Sequence, residues 1–221
     1  MLPMKADDRI TLCGLPGQGK TTLARYLAAL CEPNLLIYDP LDQYTNFDPK
    51  CHYVPQSDSL AEFESVCRKL CARSNVVFLI EEAERYLGQG KPIGPYAFDL
   101  INRGRNWGVG IIAVTRRIQR LSKDYFDLCQ YVIAFRCGLK SREYLQDMMG
   151  PQVSRAIISL DQYYFLQYSV ETEKYHIGKL KLAGTRPHII DESTGSSREK
   201  TIEEPAKADE TRPLETTRAQ R

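Results

Sequence analysis

The chain has 221 residues and a mass of 25.3 kDa, 43% hydrophobic and 26% charged, enough apolar material for one large domain or two small ones with a sizeable core. Its 30 basic and 28 acidic residues leave a formal charge of +2, so any nucleic-acid surface is local and the chain is no polycation. The longest apolar run, Val76 to Ile80, is far short of the roughly 20 residues that cross a bilayer, which with the rest of the composition excludes membrane-spanning, collagen-like and wholly disordered chains.

Arg9 to Cys13 is a short apolar run that enters a glycine-rich turn. Lys20 to Leu30 follows with Leu23, Tyr26, Leu27 and Leu30 at the spacing of one helix face. Leu35 to Tyr38 reads as a buried strand ending in Asp39-Pro40, and His52 to Val54 as a shorter one. Ser59 to Arg73 is helical, with Leu60, Phe63, Val66, Cys67 and Leu70 on one stripe. Val76 to Ile80 is apolar at every position, as a central parallel strand covered on both faces would be. A helix over Tyr96 to Asn106 leads to a strand at Val109 to Val114, and a helix over Lys123 to Cys129 to a strand at Tyr131 to Arg136. Ser141 to Met149 and Gln152 to Ser159 are helical, and Tyr163 to Ser169 with Tyr175 to Leu180 forms a closing hairpin. Strands alternating with helices predict an α/β fold around a mainly parallel sheet. Residues 1–183 are assigned to this ordered domain. Residues 184–221 carry no aromatics and a dense mix of Glu, Lys, Arg, Thr and Pro, a composition that predicts a largely disordered charged tail; Arg186 to Ile190 could still dock on the domain.

The strongest chemical signal is Gly14-Leu15-Pro16-Gly17-Gln18-Gly19-Lys20-Thr21, a complete G-x-x-x-x-G-K-T between a predicted strand and a predicted helix. Glycines let the backbone fold into a nest of N–H groups, and the helix start adds partial positive charge, which together suit phosphate oxygens. Residues 14–21 with Thr22 are therefore the candidate nucleotide site. Lys20 would reach the β- and γ-phosphates of ATP and the Thr21 hydroxyl would ligate Mg²⁺. Glu81 and Glu82 follow the most strand-like run in the chain. Glu81 is the candidate metal-side acid and Glu82 the candidate base for the attacking water. On an extended strand end the two would point to opposite sides. The bland alternative is a solvated helix starting at Glu81.

Several segments together resemble the FtsK–HerA superfamily of P-loop ATPases, which includes the genome-packaging ATPases of viruses. Besides the phosphate loop these are Leu36-Ile37-Tyr38-Asp39-Pro40, the Glu81-Glu82 strand end, the stretch from Arg103 through Gly110 to Arg117, and Ala134-Phe135 with Ser141-Arg142-Glu143 and Gly150. The resemblance implies a RecA/FtsK-like P-loop NTPase. It also implies an ATP-hydrolysing, Mg²⁺-dependent translocase of double-stranded DNA that works as a homo-oligomeric ring, a hexamer or a pentamer. A bare motor domain is closest to the viral packaging branch, with capsid or portal proteins as possible partners and host cytoplasm or virion as its place. Arg105 matches the arginine that such proteins insert into a neighbouring subunit's site, with Arg103 as a second candidate. Thr115, Arg116 and Arg117 match the γ-phosphate sensor. Three residues depart from the pattern: Glu81 stands where the family usually has Asp, Arg116 where it has Gln, and Ile118 where it has Pro.

Gly88-Gln89-Gly90-Lys91 is a flexible basic loop, and Arg116, Arg117, Arg120 and Lys123 form a second basic cluster. Lys91 and Arg120 are the candidate DNA contacts, meeting phosphates without reading sequence. The seven scattered cysteines and the lack of a secretory h-region favour reduced thiols in a cytosol. Cys67 and Cys71 lie on an apolar helix face, so buried structural thiols are favoured over a zinc site that would borrow Cys51 and His52. The histidines show no catalytic partner in sequence. The alternative function is a nucleotide-dependent switch or assembly factor that binds partners without moving DNA.

Overall fold

A computed structural model describes residues 3–181 and the backbone of residues 188–196. The chain runs β1 (Arg9–Cys13), α1 (Lys20–Ala29), β2 (Leu35–Tyr38), β3 (His52–Tyr53), α2 (Leu60–Cys71), β4 (Val76–Ile80), α3 (Pro95–Arg103), β5 (Val109–Thr115), α4 (Lys123–Phe126), β6 (Tyr131–Ala134), α5 (Leu139–Met149), α6 (Pro151–Ile158), β7 (Tyr164–Ser169), β8 (Lys174–Lys181) and β9 (His188–Ser196). These nine strands form one sheet in the order β3-β2-β4-β5-β1-β6-β7-β8-β9. From β3 to β6 all neighbours are parallel, and from β6 to β9 all are antiparallel.

Side-chain alternation on β4 explains its unbroken apolar run. Val76, Phe78 and Ile80 face one core with α2 and α3, where they meet Phe63, Leu70 and Leu100. Val77 and Leu79 face the other core with α1, where they meet Leu23, Leu27 and Ile112. Helices on both sides leave no solvent face to mark with polar residues. A third core packs α5 and α6 on β6 and β7 through Leu145, Val153, Ile157 and Leu166.

Several expectations change at their edges, among them the strand expected to reach Arg136, which ends at Ala134. The helix expected over Tyr96 to Asn106 ends at Arg103 and tightens into a 3₁₀ turn, Gly104–Trp107, closed by Gly108 at φ 72°. The helix expected to reach Cys129 stops at Phe126, its last amides bonding three residues back (Leu128 N to Tyr125 O, Cys129 N to Phe126 O). Residues 188–196, expected in the tail, form β9 along the free edge of β8. An edge strand offers unpaired N–H and C=O groups, so a segment with little to bury can still be held there by its backbone. The rest of the expected tail, 184–187 and 197–221, lies outside the described residues.

Candidate nucleotide site

β1 delivers the chain to the phosphate loop at its C-terminal end, and α1 begins at Lys20 directly out of that loop. Gly14, at φ 145°, backs onto β6 so closely that a Cβ there would lie 2.7 Å from the Phe135 Cβ. Gly19, at φ 107°, caps α1 without any side-chain hydrogen bond, and the first turn of α1 holds no acidic residue. The helix start therefore keeps its uncancelled N–H groups and positive dipole end for an anion.

Strand order brings the other parts to this loop. β5 lies between β1 and β4, with Thr115 beside Cys13 and Ala113 beside Ile80 in the parallel register. The C-terminal ends of all three strands thus open on one cleft. Its volume is about 200 Å³, and its walls are Pro16, Gly17, Lys20, Thr21, Gln43, Glu81, Glu82, Val114, Thr115 and Arg116. The sequence-predicted loop, acids and first two sensor residues meet there. Gly14, Leu15, Gln18, Gly19 and Thr22 shape the loop or start the helix without lining the cleft. Leu15 N bonds Arg136 O at 2.9 Å, and Gln162 Nε2 bonds Gly17 O at 3.1 Å, pinning the loop from outside.

Lys20 is 8% exposed, and its ammonium donates to Leu15 O at 2.9 Å, folded back on the loop. Burial lowers its pKa, against the pull of nearby Cys13 and Glu81. Glu81 is 5% exposed, and its Oε1 accepts the Tyr44 hydroxyl at 2.5 Å. Burial pushes Glu81 up to about 7; the Tyr44 bond and Lys20 oppose the rise, and Asp39 and Glu82 add to it.

Glu82 corrects the picture of two acids on an extended strand. β4 ends at Ile80, and Glu82 takes a left-handed conformation, φ 52° and ψ 39°, that opens the 3₁₀ turn Ala83–Arg85. Both acids consequently line the same cleft. Arg116 Nη2 lies 2.7 Å from Glu82 Oε1. Arg117 is exposed, outside the cleft, with its N–H on the Thr115 hydroxyl at 3.2 Å.

Arg105 sits at the other end of β5, beside Asp7 at 3.4 Å and Asp8 at 3.9 Å. The seven residues of β5 span roughly 20 Å at about 3.3 Å each, so Arg105 cannot serve its own cleft. Arg103 pairs with Asp99 at 3.5 Å. The two basic segments are one surface: Gln89 N bonds Arg120 O at 2.7 Å and Ser122 N bonds Leu87 O at 2.7 Å. Lys91 and Arg120 are both exposed on it.

Sequence reasoning missed Gln43 and Tyr44. The Asp39 carboxylate, fully buried, accepts the Leu41, Gln43 and Tyr44 amides and lies 2.9 Å from His52 Nε2. Asp39, Asp42 and His52 bring ligand-type atoms within 4.8 Å of one another. With its carboxylate already bonded to three amides and an imidazole, Asp39 acts as a staple for the loop after β2. The Asp39-Pro40 strand end was the one available signal. Cys67 is buried and Cys71 half-buried, bonding Tyr96 O at 3.6 Å.

Residues 10–137, more than half of the chain, match the family described as ATPase family associated with various cellular activities (AAA). The chain belongs to that ATPase family. It is an ATP-hydrolysing enzyme. Among solved structures, this ATPase is similar to the genome packaging NTPase B204 of Sulfolobus turreted icosahedral virus 2 in complex with ATP-gammaS, with a TM-score of 0.70, 19% identity, and 79% of this chain and 98% of that chain covered. The complex of the same protein with AMPPCP gives a TM-score of 0.69 at 19% identity and the same coverage. The pCW3 conjugation coupling protein TcpA is similar at a TM-score of 0.56 and 14% identity, over 84% of this chain and 59% of that one. These likenesses establish a common fold, the one the FtsK–HerA resemblance implies. No curated protein sequence matches the chain. Among the described residues, no helix is long and apolar enough to cross a membrane.

Proposed function

We propose that this ATPase drives double-stranded DNA through a homo-oligomeric ring, most closely in the manner of a viral genome-packaging motor. The observation that carries the proposal is the separation along β5: the nucleotide cleft at one end, Arg105 at the other. An arginine that cannot reach its own site but sits exposed on the opposite edge suits a neighbour's site, and arrival in trans couples hydrolysis to subunit movement. Fold likeness to a protein whose description names genome packaging supports the same reading.

In this reading the loop amides and Lys20 bind the triphosphate. Glu82 accepts a proton from a water whose oxygen attacks the γ-phosphorus as the bond to the ADP oxygen breaks. Arg116 faces the γ-phosphate, and Arg105 of one subunit stabilises the transition-state charge in the next. The Thr21 hydroxyl and the Glu81 carboxylate, both on the cleft wall, are the hard oxygen donors that Mg²⁺ prefers, so the residues fit the ion. When bound, Mg²⁺ neutralises charge on the β- and γ-phosphates. Lys91 and Arg120 meet DNA phosphates, and capsid or portal proteins are the natural partners of such a ring.

ATP turnover with and without duplex DNA, beside a mass measurement of the assembly, tests the proposal. Stimulation by duplex and a ring-sized mass support it. Turnover indifferent to DNA supports the switch reading.

A further inference from the structure

The metal side of the cleft is built from a loop with no motif. Residues 39–44 leave β2 and fold around the Asp39 carboxylate, which accepts the Leu41, Gln43 and Tyr44 amides and touches His52 on β3. Arg25 of α1 ties the same loop down: its guanidinium bonds Gln43 O and lies 5.6 Å from the centre of the Tyr44 ring. Two side chains are thereby aimed into the site. Gln43 lines the cleft with its Oε1 3.5 Å from the Thr21 hydroxyl. Tyr44, 1% exposed, sets its hydroxyl 2.5 Å from Glu81 Oε1.

We infer that Tyr44 is a positioning residue of the metal site: its hydroxyl holds one oxygen of Glu81 so that the other is presented to the cation. The inference rests on the reading of Glu81 as the metal-side acid. Its physical ground is length. Glutamate has one more methylene than aspartate and one more rotatable bond, so a free Glu81 would sample positions away from Thr21. A phenol O–H occupies a single carboxylate oxygen and leaves the second as acceptor. Tyr44 is itself immobile, fixed by its amide on Asp39 and its ring beneath Arg25. The loop after β2 thus compensates for the longer acid, and Asp39 is the residue that makes the loop rigid enough to do so.

Calorimetric titration of ATP-gammaS, at a series of Mg²⁺ concentrations and again in a chelator, reads this without turnover. Tyr44→Phe removes one oxygen and keeps the ring. It is expected to raise the Mg²⁺ concentration for half-maximal tightening about 10-fold or more, the usual effect of removing a partner that orients a metal ligand. Binding in the chelator should change less than about two-fold, since the phosphate loop is untouched. Glu81→Asp withdraws the acid from the Tyr44 hydroxyl and serves as the background in which Tyr44 has nothing left to hold. Tyr44→Phe added to Glu81→Asp should then change nothing further. An unaltered Mg²⁺ requirement in Tyr44→Phe, or an effect of Tyr44→Phe as large in the Glu81→Asp background as in the wild type, overturns the inference. Should Tyr44→Phe fail to fold, Arg25→Ala frees the Gln43 carbonyl and the Tyr44 ring while leaving Glu81 in place. It should raise the Mg²⁺ requirement in the same direction, and an unaltered requirement there overturns the inference. Failure of the wild-type chain to bind ATP-gammaS at any Mg²⁺ concentration would instead bring down the cleft reading, and this inference with it.

Discussion

Arg116 and Glu82 form an ion pair of 2.7 Å between two residues that both line the nucleotide cleft. Arg116 is half exposed and Glu82 mostly covered, so the pair contributes little to stability, about 1 kcal/mol or less. Its interest is competition. A γ-phosphate offers the guanidinium more charge and more acceptors than one carboxylate does, so nucleotide would draw Arg116 away and release Glu82 as the base. Arg116→Ala should lower kcat about 10-fold or more through lost charge stabilisation, with little change in melting temperature. Steady-state kinetics checks this; an unchanged or raised kcat would mean that Arg116 only restrains the acid.

The nucleotide-free protein should lose stability between mildly acid and neutral pH because of Glu81. Its folded pKa, about 7, stands above the ordinary 4.5, so between those values the folded chain holds a proton that the unfolded chain has released. Stability therefore falls as pH rises through that window and is level above it, by an amount of about 3 kcal/mol. Glu81→Gln should abolish this part of the dependence. Melting curves from pH 4.5 to 8 for both proteins, compared as a difference so that other groups cancel, give the measurement. Since metal needs the ionised acid, Mg²⁺ affinity should rise over the same range.

Arg105→Ala should leave ATP binding intact and abolish turnover. Losing its half-exposed contact with Asp7 at 3.4 Å costs little in folding, and the buried Asp8, 3.9 Å away, keeps its bond from the Lys5 amide. Lys20→Ala subunits retain Arg105, and Arg105→Ala subunits retain a sound cleft. Mixing the two inactive proteins should restore part of the ATPase activity. No recovery at any ratio would remove Arg105 from the neighbour's site.

How much of this was legible in the sequence varies from residue to residue. Gly14 to Thr21 could be read because loop, strand and helix are contiguous, so local rules suffice. The all-apolar β4 announced its own depth in the sheet. The Glu82–Arg116 pair could not be read, since it depends on β5 lying beside β4 and on a left-handed conformation at Glu82 just after the strand. Tyr44 was invisible for a related reason: the stretch from Asp39 to Cys51 has neither helix nor strand period, and its shape comes from one buried carboxylate collecting amides. β9 pairs with β8 through its backbone, a tie that depends on where the edge of the sheet lies and that no side-chain period announces.

Lys91 and Arg120 lie on segments joined by backbone hydrogen bonds, so they should act on DNA as one surface. Replacing either by Ala should reduce the salt slope of duplex binding by about 1, and replacing both by about 2, equally for unrelated sequences. Binding measured by fluorescence anisotropy across salt concentrations reads the slope. An unchanged slope would place the DNA path elsewhere.

The most direct measurement for the cleft as a whole is rapid-quench analysis of radiolabelled ATP on Glu82→Gln protein. With Lys20 and the loop intact and only the Glu82 carboxylate neutralised, the variant should hold ATP through gel filtration and form almost no ADP, while the wild-type chain converts it. Hydrolysis by Glu82→Gln at the wild-type rate, or no retained ATP in either protein, would contradict a triphosphate seated between the loop before Lys20 and the paired acids after β4.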